Sequence, residues 1–307
     1  MRLFKSFIAP LALTAAFLGP ATLAQQSVPT PQKVEAVPAP VIAKPALWKI
    51  SDADTTIYLF GTIHLLPKGI EWFDGPVANA FEKADILVTE IPEVPEAETI
   101  AMTLKHGTLP QGQSLRGLMS AEERGKYESA MATMGLPPAV FDRYKPWFAS
   151  MALAIFPLQK AGYSMENGIE NQLDKRNKDL GRPRIGLETL DYQLGIFDSL
   201  PPEVQKAYLF AVIDALPTMT QDIQKMVDAW AKGDVDSLAA LLNAETDDPV
   251  LYDALLTQRN RNWAVWIDKR LDQPGTVFIA VGAGHLGGNN SVQEFLDRAG
   301  IRSARVQ

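Results

Sequence analysis

There is no cysteine anywhere in this 307-residue chain. That absence removes disulfides, thiolate metal ligands and a cysteine nucleophile together, so a metal here must take imidazole nitrogen and carboxylate oxygen. Histidine is almost as scarce, with three in all. An excess of positive charge is missing too: the net charge is −7, which argues against a nucleic-acid partner. No apolar run beyond the N-terminus reaches spanning length, so stable membrane insertion is not expected. Several enzyme signatures are also lacking. There is no His-Glu-x-x-His, no Walker loop and no Gly-x-Ser-x-Gly. Gly282-Ala-Gly284 lacks the third glycine and the downstream acid of a dinucleotide fold.

What is present begins with a leader. Arg2 and Lys5 precede an apolar stretch from Phe7 to Leu18, and Thr22-Leu-Ala24 supplies a small-residue cleavage site. Residues 1–24 therefore read as a secretory signal peptide, which implies a periplasmic or secreted protein. Residues 25–45, rich in Pro, Ala, Val and Gln, read as an extended, disordered linker. Residues 46–307 are long enough and apolar enough for one domain with its own core.

Within that domain, Leu47–Ile50 and Thr56–Phe60 flank a turn-forming Ser51-Asp-Ala-Asp54 and suggest a hairpin. Pro76 suits a first helical position, with Val77, Ala80, Phe81 and Ala84 on one face. Ile86-Leu-Val-Thr-Glu90 reads as a buried strand ending in a carboxylate, as does the shorter Arg184-Ile-Gly-Leu-Glu188. About 96–165 and 200–272 read as mainly helical, with Gly168-Ile-Glu170 opening a further helix. Near the end come a strand over Val277–Val281 and a capping box, Ser291-Val-Gln-Glu294, that opens the last helix. Strand, Gly-x-x-His, loop, helix, strand thus occurs twice, from Thr56 to Glu90 and from Thr276 to about Val306. The fold expected is α/β (α+β): a central mixed sheet from two related halves, with a large helical insertion between them.

Gly61-Thr-Ile-His64 and Gly282-Ala-Gly-His285 each follow an apolar strand. At an ordinary glycine frequency of ~7 %, two of three histidines standing three places after glycine is about a 1–2 % coincidence. The structural alternative is a pair of hydrogen-bonded residues closing strands, but the pairing favours metal ligation. His64, His285, Glu90 and Glu188 all stand at strand ends, where sites form in open α/β sheets. Glu90, between Ile-Leu-Val-Thr and Ile-Pro, is expected to be buried and so to need a cation, a donor or a metal. Glu170 also reads simply as a first-turn helix carboxylate. At 100° per residue, Leu251, Leu255, Leu256, Trp263, Trp266 and Ile267 define an apolar face with Arg259 near its middle and Asn262 toward one side. Asn260 and Arg261 are expected to point elsewhere, and His106 to be an exposed loop residue. Two imidazoles with carboxylates suit a divalent ion such as Mn, Co, Zn or Fe, which lowers the pKa of bound water. A further glutamate would take the proton, with Arg259 and Asn262 facing a developing oxyanion.

The segments LFGTIHLLP, ILVTEIPEV, GIENQL, GLETLDYQLGIFDSLP, LLTQRNRNWAVWI and FIAVGAGHLGG resemble the TraB/GumN family, which is related to the Tiki metalloproteases. The likeness runs from about Leu47 to the C-terminus. It implies metal roles for His64 and His285, and active-site roles for Glu90, Glu188, Arg259 and Asn262. Many relatives carry Asp where Glu170 stands, which keeps the charge and changes the reach. The function expected is therefore an exported metal-dependent hydrolase, a peptidase acting on peptide or protein substrates. The alternatives are a non-catalytic protein sequestering a peptide, haem or metal in the same cleft, and an envelope interaction protein whose histidines are structural.

Overall fold

The structure, a computed structural model, describes residues 40–243 and 249–307. The expected signal peptide (1–24) and the linker up to residue 39 lie outside the described residues. The end of that linker differs from expectation. Val41–Ile42 forms strand β1, Ala43 is fully buried, and Lys44 donates its backbone N–H to Ala231, so the last residues before 46 belong to the fold.

The remaining strands are β2 (Leu47–Ser51), β3 (Thr55–Thr62), β4 (Ile70–Glu71), β5 (Ile86–Thr89), β6 (Arg184–Gly186), β7 (Gly275–Gly282) and β8 (Ala304–Arg305). The helices are α1 (Gly75–Lys83), α2 (Glu96–Gly107), α3 (Ala121–Met134), α4 (Pro146–Lys160), α5 (Ile169–Asp179) and α6 (Leu190–Asp198). They continue with α7 (Pro202–Ala215), α8 (Met219–Ala231), α9 (Val235–Asn243), α10 (Pro249–Tyr252), α11 (Gln258–Leu271) and α12 (Val292–Arg298). β1 pairs with β4, while the other six strands form one mixed sheet in the order β6-β5-β7-β3-β2-β8. The hairpin expected from Ser51-Asp-Ala-Asp54 is β2–β3, and the Asp52 carboxylate caps its turn by accepting the backbone N–H of Asp54 and Thr55.

β6, β5, β7 and β3 are parallel, with Thr62 opposite Gly282 and Thr89 opposite both Ala280 and Gly186. The second half of the sequence repeat therefore does not stand beside the first. Its strand β7 inserts between β3 and β5, which brings the carboxyl ends of all four strands to one edge. The continuous apolar runs of β3 and β7 reflect burial on both faces. One face packs Ile57, Leu59, Val277 and Ile279 under Trp263 and Ile267 of α11 and Leu296 of α12. The other packs Phe60, Leu87 and Phe278 against Val77 and Phe81 of α1 and the helical insertion.

Two glycines set the spacing at the functional edge. A Cβ on Gly61 would lie 3.0 Å from that of Ala283, so this glycine lets the turn after β7 close over β3. A Cβ on Gly168 would lie 2.1 Å from the carbonyl oxygen of His64. Only glycine lets α5 start against that backbone, where Ile169 N–H donates to Ile63 (3.1 Å). His106 is a correction to the exposed loop expected: it sits in the last turn of α2, nearly buried. Its Nε2 lies 2.9 Å from Asp191 Oδ1 and its Nδ1 3.1 Å from Asp198 Oδ2, so it ties α2 to α6.

Candidate functional site

Glu90 comes directly after β5, and Glu188 stands two residues past β6, its backbone N–H donating to the Glu90 carbonyl at 2.8 Å. His285 sits in a short 3₁₀ turn, Ala283–Leu286, after β7, and His64 two residues past β3. Strand order and register thus gather four residues separated by more than two hundred positions at one carboxyl edge.

Arg259 of α11 occupies the centre, with 2 % of its surface exposed. All three of its nitrogens are engaged. Nε donates to the two oxygens of Glu188 at 3.0 and 3.1 Å, Nη2 donates to Glu90 Oε2 at 2.6 Å, and Nη2 also lies 3.0 Å from Glu188 Oε2 as an ion pair. Nη1 donates to the Leu255 carbonyl at 3.1 Å and to His285 Nε2 at 3.2 Å. A guanidinium cannot shed its proton, so two buried carboxylates and a neutral imidazole are what its burial demands. Burial lowers its proton affinity, and Glu90 and Glu188 more than offset this, leaving the pKa raised. For Glu90, burial pushes the pKa up, but Arg259, then the His285 and His64 imidazoles and the Gly282 N–H (2.8 Å), hold it down at about 2. Glu90 is an ionised carboxylate.

His285 is fully buried, and burial first, then the Arg259 charge, pushes its pKa down to about 3. Its ring leans on Trp263 at 4.4 Å between centroids, and its Nδ1 meets Asn260 Oδ1 at 2.5 Å. Trp263 Nε1 donates to Glu188 Oε1 at 2.9 Å. Gln193 of α6 donates to both Glu90 Oε2 and Glu188 Oε2 at 3.0 Å, bridging the two carboxylates.

The second group lies beside the first. His64 Nδ1 is 2.7 Å from Glu170 Oε1, which also accepts from Thr62 Oγ1. Glu170 Oε2 is buried with no hydrogen-bond partner among the described residues. A cavity of about 280 Å³ opens here, walled by His64, Glu90, Glu170, Asp174, Arg184 and Gln193. Glu170 is therefore more than a first-turn carboxylate.

Asn262 is not brought to the site: it is exposed, and Asn260, expected to point away, is buried against His285. A π-helical turn over Asp253–Thr257 precedes α11. Such a turn carries an extra residue and rotates the helix beyond it by about one residue step, ~100°. An angular count carried through from Leu251 therefore selects the wrong asparagine. Within α11 alone, Asn260 lies four and seven residues before buried Ala264 and Ile267, a pattern that marks it as inward-facing. Gln193 and Trp263 were missed as site residues. Gln193 shares a helix face with Leu190, Leu194 and Phe197, which reads as core.

The donor set expected for a metal was His64, Glu90 and His285. His64 and Glu90 fit, since both wall the cavity and offer the imidazole nitrogen and carboxylate oxygen a divalent ion takes, and Glu170, on the same wall, keeps Oε2 without a partner among the described residues. His285 does not fit. Both of its nitrogens are in hydrogen bonds, and the Arg259 guanidinium stands between it and Glu90, whose Oε1 is 3.9 Å from its Nε2. Arg259 and Glu188, in turn, do not line the cavity, and all three Arg259 nitrogens are already paired with protein groups.

The model of the TraB/PrgY/gumN family matches residues 46–305. The uncharacterized protein YbaP of Escherichia coli is 28 % identical over 240 residues, covering 78 % of this chain and 87 % of its own. The same protein of Shigella flexneri matches equally. An uncharacterized protein of Treponema pallidum is 22 % identical over 267 residues, covering 81 % of this chain and 79 % of its own. No solved structure matches the chain.

Proposed function

The chain belongs to the TraB/PrgY/gumN family, and from that premise we propose that it is an exported, metal-dependent hydrolase cleaving peptide bonds in the cavity beside His64. The observation that carries this reading is the meeting of the His64–Glu170 pair with an ionised Glu90 on one cavity wall. When bound, a divalent ion such as Mn, Co, Zn or Fe supplies acidification of a water and polarisation of the scissile carbonyl. His64 and Glu90 are the residues that would hold it. Glu170 Oε1 pairs with the Nδ1 side of the His64 ring at 2.7 Å, which leaves Nε2 to act. Glu170 Oε2 is the acceptor for the proton of the attacking water. Arg259 and Gln193 keep Glu90 ionised and aimed, and Glu188 acts through Arg259 rather than on substrate. Arg259, paired with Glu90, contributes a fixed positive field, not an oxyanion donor.

Purified protein with added Mn or Co is expected to cleave unstructured peptides, and chelator to abolish cleavage. His64→Ala and Glu170→Gln should each remove turnover. Cleavage that persists in His64→Ala sinks the proposal. A second reading, a periplasmic protein that sequesters a peptide, haem or metal without turnover, is favoured by the closed hydrogen bonding around His285. Stoichiometric ligand retention with no product would select it.

A further inference from the structure

We infer that Asn260 is a positioning residue that fixes His285 as the neutral tautomer protonated on Nδ1. Its effect is to hold the Arg259 fork on Glu90.

The donor directions are set by one fixed point. The carbonyl of Asn290 can only accept, and Asn260 Nδ2 lies 2.7 Å from it, so the amide nitrogen of Asn260 faces that carbonyl. Asn290 is itself held. Its backbone is in the left-handed region at φ 57°, and its N–H donates to the Glu294 carboxylate of α12. The amide oxygen of Asn260 is thereby turned toward His285 Nδ1 at 2.5 Å, and an oxygen there requires a hydrogen on that nitrogen. His285 Nε2 then carries the lone pair, which is what Arg259 Nη1 needs at 3.2 Å.

The other tautomer fails twice. An Nε2–H would face an Arg259 N–H, and the Nδ1 lone pair would face the Asn260 oxygen. Both contacts are repulsive, and both groups are buried, with Asn260 2 % exposed and His285 fully enclosed, so water relieves neither. Rotating the imidazole away is opposed by Trp263 packed on its ring. The chain Asn290 → Asn260 → His285 → Arg259 → Glu90 is a single run of matched donors and acceptors, and Asn260 is the link whose loss strips the buried Nδ1–H of its acceptor and leaves the Arg259 contact alone to set the tautomer.

This concerns the protein without substrate and stands apart from the hydrolysis reading, because the measurement is spectroscopic. The full chain is labelled with ¹⁵N-histidine, and long-range ¹H–¹⁵N spectra are recorded near pH 7.5. His64→Ala and His106→Gln variants assign the three rings. Wild type is expected to show His285 with a protonated Nδ1 and an unprotonated Nε2. Asn260→Ala is expected to weaken that preference, with a shifted or exchange-broadened Nδ1–H signal. Asn260→Asp, which keeps an acceptor at the same place, is expected to retain the Nδ1 proton. A wild-type His285 protonated on Nε2 overturns the inference, as does a folded Asn260→Ala with an unchanged Nδ1–H signature. Should Asn260→Ala fail to fold, wild type and Asn260→Asp decide it, and loss of the Nδ1 proton in the aspartate variant then counts against it.

Discussion

Replacing Arg259 by methionine removes the one cation that two buried carboxylates share. Glu90 and Glu188 keep their places through the Gly282 N–H, Trp263 Nε1 and Gln193. Both Oε2 atoms lie 3.0 Å from the same Gln193 nitrogen, so they are at most 6.0 Å apart. At an effective dielectric of 20, two charges at that separation repel by about 3 kcal/mol. Stripping one partner from a buried ionic network typically costs about 3–5 kcal/mol, because the remaining charge is desolvated and unpaired. For a domain of this size that corresponds to a Tm lower by roughly 6–20 °C. The cost must also depend on pH. Without Arg259, one of the two carboxyls takes up a proton near neutrality and relieves the repulsion. The gap between wild type and Arg259→Met should therefore be widest at pH 8 and shrink toward pH 5. Thermal melts monitored by circular dichroism at both values, with chelator present, measure it. A loss below about 1 kcal/mol, or a gap equal at pH 5 and pH 8, refutes the argument that Arg259 is the charge holding this centre together.

Acid should destabilise the wild-type protein in two steps. Unfolded His285 takes a proton at its ordinary 6.5, whereas the native ring refuses one until about 3, so stability falls as pH drops through that window. Glu90 adds its own loss between its ordinary 4.5 and about 2, in the same direction. Each proton contributes up to about 1.4 kcal/mol per pH unit, and a Tm unchanged from pH 7.5 to pH 4 contradicts the burial of His285. Gly168→Ala forces the start of α5 off the His64 carbonyl, 2.1 Å from the new Cβ, and carries Glu170 away from His64. A stability loss of about 1–3 kcal/mol with a far larger loss of peptide cleavage is expected. Gly125→Ala, in α3 with open space around its Cβ position, should instead gain about 0.5–1 kcal/mol.

Much of the fold was legible because its signals are local. Apolar runs closed by glycine mark β3 and β7, Pro76 marks the start of α1, and Ser291 caps α12 by accepting the Glu294 N–H, although the Glu294 carboxylate takes the Asn290 N–H rather than closing the expected box. Four of the site residues were legible for a related reason: Glu90, Glu188, His64 and His285 each end an apolar strand, and strand ends in a parallel sheet share an edge. Arg259 was legible as a charge amid leucine and tryptophan. Asn260 was not, because the phase of α11 depends on a π-turn that leaves no trace in the spacing of leucines before it. Nor was the burial of His106, whose two aspartate partners lie more than eighty positions away on α6.

Composition and pattern alone thus determined the available chemistry, which is imidazole and carboxylate without thiol, and the strand ends that would carry it. Only the tertiary structure decided which groups touch. The strand order sets β7 between β3 and β5, and the helix phase turns Arg259 and Asn260 inward together. Once those side chains lose water, every donor must find an acceptor, so the partners are chosen by packing across the whole chain. That is why Arg259 of α11 stands between Glu90 and His285.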